Sequence, residues 1–129
     1  MTKCVRVEGS PGFNCNGNDV TVSQDEGQAT ITTPNVVVRC HGVLISRFGY
    51  PNDEALAADP LYAAGLVFYD IVEVVNSPWL REINDRNRTR FPNFKGYDYR
   101  HYFMAFHDSS FEVLCQGITF NRIEQEGES

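Results

Sequence analysis

YRHYFMAFHDSSFEVLCQGITFNRI, running from Tyr99 to Ile123, reads as two long β-strands folded back on each other at His107-Asp108-Ser109-Ser110. Aromatic and β-branched residues fill both arms, and turn formers separate them. Strand side chains alternate between faces, so parity assigns each one. Tyr102, Met104 and Phe106 share a side with Phe111, Val113 and Cys115, whether the two-residue loop is Asp108-Ser109 or Ser109-Ser110. That side carries no charge until Asp108 at the tip, so it is the predicted core face. The opposite side collects His101, Phe103, Ala105, His107, Glu112, Leu114, Gln116 and Ile118, mixing apolar and polar groups.

With Ser109-Ser110 as the loop, His107 and Glu112 stand directly across from each other, about 5 Å apart at Cβ. A carboxylate beside an imidazole favours the charged ring and can equip it as a general base. His107, Glu112 and the neighbouring Asp108 are therefore the candidate catalytic residues. The structural alternative is that Asp108 and the two serines cap the turn through backbone amides. His107 and Glu112 would then be an exposed cross-strand pair worth a few tenths of a kcal/mol.

The 129 residues suit one domain with an adequate core. Hydrophobic residues at 42% fit a globular chain rather than a disordered one. A formal net charge of -6 argues against general affinity for nucleic acid or anionic membranes. No apolar run reaches the length of a membrane span, and MTKCVRVEGS lacks the apolar centre of a signal peptide. A cytoplasmic protein is expected, with Cys4, Cys15, Cys40 and Cys115 as reduced thiols. Their spacing matches no zinc framework, and the adjacent Cys40 and His41 would point to opposite faces of a strand. No metal or cofactor is expected.

Earlier in the chain, residues 3–8 alternate as a short strand, and 9–18 is a loop. Val20 to Ser23 and Ala29 to Thr32 flank Asp25-Glu26-Gly27 as a hairpin. Val36 to Phe48 is a longer strand bent at Gly42. Helices are predicted next, from Asp53 to Ala58, from Pro60 to about Asn76 and from Ser77-Pro78 to about Asn87, each behind a capping side chain. The β-branched content of Leu66 to Val75 would also suit a buried strand. The Asp59-Pro60 start and the length favour helix. On that helix Asp70 and Glu73 share a face, either as a proton-sharing pair or as a solvated stripe.

The segment from Arg81 to Arg100 holds six of the eleven basic residues, with Phe91, Phe94, Tyr97 and Tyr99 between them. Such a segment can bind single-stranded nucleic acid through phosphate contacts and stacking, or clamp a small anion. Glu82, Asp85 and Asp98 dilute its charge. Its aromatics also suit anchors of a loop to the core.

Three motifs carry a resemblance. Gly49-Tyr50-Pro51-Asn52-Asp53-Glu54, Asn76-Ser77-Pro78-Trp79 and Phe106-His107-Asp108-Ser109-Ser110-Phe111-Glu112 resemble segments of a family of small uncharacterised bacterial proteins. Ser110 stands where Thr is more usual. The blocks cover about half the chain, and no activity comes with the resemblance. Proteins of this kind also occur on mobile elements such as integron cassettes.

The fold expected is α+β: an antiparallel sheet of five or six strands packed against two or three helices within 53–88. The first functional expectation is a non-catalytic binding or interaction protein that forms a homo-oligomer. Its support is apolar surface beyond what one layer needs. The second is a small-molecule enzyme or ligand pocket using His107 and Glu112. There Arg100, Arg81, His101 and Tyr99 would bind an anionic ligand. Nucleic-acid binding by 81–100 ranks third, and no membrane partner is expected.

Overall fold

The computed structural model describes residues 2–13, 20–49, 65, 69–106 and 109–123. They form β1 (Lys3–Arg6), β2 (Thr21–Asp25), β3 (Gln28–Thr32), β4 (Val36–His41), β5 (Ile45–Gly49), β6 (Ile71–Val75), α1 (Pro78–Arg90), β7 (Arg100–Ala105), β8 (Ser110–Cys115) and β9 (Gly117–Arg122). The strands make two sheets, β1-β6-β7-β8-β5 and β2-β3-β4-β9. Every pairing is antiparallel.

This is a mostly-β protein with one helix among the described residues, which corrects the α+β expectation. Of the span 53–88, residues 53–64 and 66–68 lie outside the described set, and Pro78 onward is helical. Ile71–Val75 is a strand. The β-branched residues prevailed there because β1 and β7 pair with β6 on either side, while its faces pack into two apolar clusters, Ile71 in one and Val72 and Val74 in the other. Ile71, Val72 and Val74 are all buried. Asp70 and Glu73 therefore share no helix face. Asp70 pairs with Arg6 and accepts from the Ser10 hydroxyl at 2.7 Å, whereas Glu73 meets Arg100 at 3.3 Å.

The two expected long strands each divide between the sheets. Gly42 separates β4 from β5, and Gln116 separates β8 from β9. The two crossings meet, since the Gln116 amide donates to the His41 carbonyl at 2.9 Å. Gly42 sits at φ +63, and a Cβ there would collide with the Gln116 side chain, so glycine satisfies both the backbone and the space.

The expected core face of the hairpin is the inter-sheet core. Tyr102, Met104, Phe106, Phe111, Val113 and Cys115 pack with Ile31, Val36, Val38 and Cys40 from the second sheet. The mixed face is buried too: His101, Phe103, Ala105 and Leu114 are at most 2% exposed and Glu112 is 8% exposed. Cys4, Val72, Val74, Phe103 and Ala105 form a second apolar cluster there. Any polar group on that face must find a partner inside the protein.

Candidate functional site

The β7–β8 register pairs Phe103 with Glu112 and Ala105 with Ser110, and the Phe106 amide donates to the Ser109 carbonyl at 2.9 Å. The expected loops at Asp108-Ser109 and Ser109-Ser110 are therefore corrected. Phe103 stands opposite Glu112, where His107 was expected. His107 and Asp108 themselves lie outside the described residues.

Glu112 finds its imidazole one diagonal step away. His101 Nε2 lies 2.8 Å from Glu112 Oε1. The other ring nitrogen, Nδ1, lies 2.7 Å from the Ser77 hydroxyl. Ser77 is the N-cap of α1, and its Oγ accepts the Leu80 amide at 3.1 Å. Across the β5–β8 ladder, Arg47 is the register partner of Glu112, and its Nη2 donates to Oε2 at 3.1 Å. Its guanidinium also sits 4.0 Å from the centre of the Trp79 ring. That indole meets His101 edge-on at 5.3 Å. Four side chains, Glu112, His101, Trp79 and Arg47, thus close a ring of contacts, and Ser77 joins it through His101.

The helix depends on this attachment. None of its residues is buried, so no apolar stripe welds it to the sheet. Glu82–Arg86 at 2.5 Å and Asp85–Arg88 at 3.1 Å support its exposed faces. Asn84 pins the returning loop: its Oδ1 accepts the Tyr97 amide at 2.8 Å, and its Nδ2 donates to the Tyr97 carbonyl. Phe94, Tyr97 and Tyr99 stack edge-on along that loop.

Ser77 borders two open grooves. One, of about 370 Å3, runs past Leu80, Tyr99, Arg100 and His101 and also carries the carboxylates of Glu73 and Asp98. The other, of about 480 Å3, runs along α1 past Arg81, Asn84 and Arg88. Four of the five expected residues present here (Arg81, Tyr99, Arg100 and His101) line one or the other, and the fifth, Glu112, lies behind His101. Arg100 is committed to Glu73. Arg81 donates to the Asn76 carbonyl at 2.9 Å, and no carboxylate among the described residues pairs with it.

Elsewhere, Tyr102 lines a cleft of about 380 Å3 between the sheets with Val5, Glu73, Arg100, Ile118 and Phe120. Burial, reinforced by the Glu73 charge, pushes the Tyr102 phenol above its ordinary value, against the opposing effect of Arg100. Cys40 and Cys115 meet across the core. The hydrogen bond to Cys115, then burial, pushes the Cys40 thiol far up.

Ser77, Trp79 and Arg47 were not singled out as site residues from the sequence. The signal for Ser77 was its capping position before Pro78. Its second partner was invisible without the register. Comparison with family models, curated proteins and solved structures finds no match for this chain. The resemblance to small bacterial proteins thus rests on its three motifs alone. No helix among the described residues is long and apolar enough to cross a membrane.

Proposed function

We propose that this chain binds a small anionic molecule in the groove along the N-terminal end of α1, past Ser77 and Arg81. One observation carries the reading: the serine end of a buried polar chain opens beside Arg81, a cation not balanced by a described carboxylate. The positive end of the helix adds to the same potential. Trp79, the single tryptophan, touches both His101 and Arg47 and reports on the site. Titration with phosphate, acetate and citrate should change its emission saturably, and Arg81→Gln should weaken that response. A linear drift, equal for every salt and unchanged in Arg81→Gln, would remove the reading.

A second reading is association with another copy of the chain. Edge strand β5 presents Ile45 and Phe48, 41% and 51% exposed, and an apolar strand edge invites pairing. Light scattering should then give a multiple of the 14.6 kDa chain mass that Phe48→Lys lowers. A strictly monomeric wild type would rule it out. A cytoplasmic setting accompanies both readings, in keeping with Cys40 and Cys115 as thiols.

A further inference from the structure

We infer that Ser77 is the nucleophile of an acyl-transfer reaction on a small ester with an anionic end. His101 Nδ1 is its base and Glu112 the positioning residue. The charge of the substrate rests on the anion-groove reading above, in which Arg81 is the cation; the chemistry rests on Ser77, His101 and Glu112.

The direction of the hydrogen bonds follows from what each group can do. A carboxylate only accepts, so the proton between Glu112 and His101 belongs to Nε2. A neutral ring then leaves Nδ1 as an acceptor, and the Ser77 hydroxyl must donate to it at 2.7 Å. Leu80 occupies another site on Oγ as a donor, which aims the hydroxyl proton at the ring. Arg47 fixes the second carboxylate oxygen, and Trp79 packs edge-on against the imidazole. Nucleophile, base and orienting carboxylate therefore stand in sequence within proton-transfer reach.

A helix cap alone would not require this arrangement. Capping needs one acceptor, which Ser77 supplies without the ring. Along the sheet, His101 pairs with Leu114, which pairs in turn with Ile45, so it is the one polar member of that apolar row. Apolar residues in place of His101 and Glu112 together would often cost nothing or stabilise.

In the reaction, Oγ forms a bond to the ester carbonyl carbon as its proton passes to Nδ1. Collapse of the adduct breaks the bond to the leaving alcohol, which takes that proton. Water then attacks the acyl-Ser77. One of its protons goes to Nδ1 and on to Oγ as the carboxylic acid departs.

The test treats the full chain with a fluorophosphonate and maps the adduct by mass spectrometry, and follows hydrolysis of a nitrophenyl hemisuccinate ester. One equivalent on Ser77 is expected, with turnover about 100-fold lower in His101→Gln, the scale of general-base catalysis. Ser77→Asp keeps a capping oxygen and should abolish both signals. An unlabelled Ser77 in the folded wild type, or labelling at an unchanged rate in His101→Gln, overturns the inference. If Ser77 stays unlabelled while Trp79 still reports anion binding, catalysis is excluded and the binding reading survives. Labelling without any anion response supports the nucleophile and removes the anion groove.

Discussion

At the scale of single residues, Glu112 is the group on which the others converge. It accepts from His101 and Arg47, from two directions, while only 8% exposed. Glu112→Ala removes both acceptors and strands His101, which is 2% exposed. A cost of about 1–3 kcal/mol is expected, the scale for leaving a buried donor unsatisfied. Arg47 can turn to water and adds little, since its side chain is 57% exposed. Urea unfolding measures this, and a change below about 0.5 kcal/mol, the range of ordinary surface substitutions, would show that the network carries no stability. Parity read His101 and Glu112 onto one face correctly. It could not tell which histidine Glu112 meets, because a two-residue slip preserves every face assignment.

The elements show the same division. Ser77-Pro78 marked the start of a helix, and α1 begins there because serine accepts the Leu80 amide while proline needs no acceptor. Ile71–Val75 was expected as helix from an Asp-Pro start and its length. It is a strand because β1 and β7 satisfy its backbone and apolar clusters on its two faces bury Ile71, Val72 and Val74. That covering comes from residues far away in sequence, so local pattern could not show it. Ser77→Ala should destabilise the chain by about 1 kcal/mol, within the usual range for a lost cap, with helix loss visible by circular dichroism. Ser77→Asp should retain the helix. Equal loss in both would mean that the His101 contact, rather than the cap, holds α1 in place.

For the molecule as a whole, two sheets enclose one core, and each bent strand passes between them at Gly42 or Gln116. The sequence suggested a bend at Gly42 but not a change of sheet, since a kink and a crossing share one glycine signal. The inter-sheet layer also sets an alkaline limit. A phenol whose folded pKa is raised contributes stability fully below its unfolded value, about 10, and loses it as pH climbs through the folded value. Tyr102→Phe should therefore flatten the decline in stability above pH about 10, measured by denaturant unfolding across that range. An unchanged slope would mean that Tyr102 ionises freely in the cleft.

One oriented chain of hydrogen bonds runs from the start of α1 to the sheet and directs the Ser77 proton at His101. Nitrogen-15 spectroscopy of the His101 ring at neutral pH reads this directly. The expected result is a neutral ring protonated at Nε2, with Nδ1 bare and accepting. A proton on Nδ1, or on both nitrogens, would contradict it.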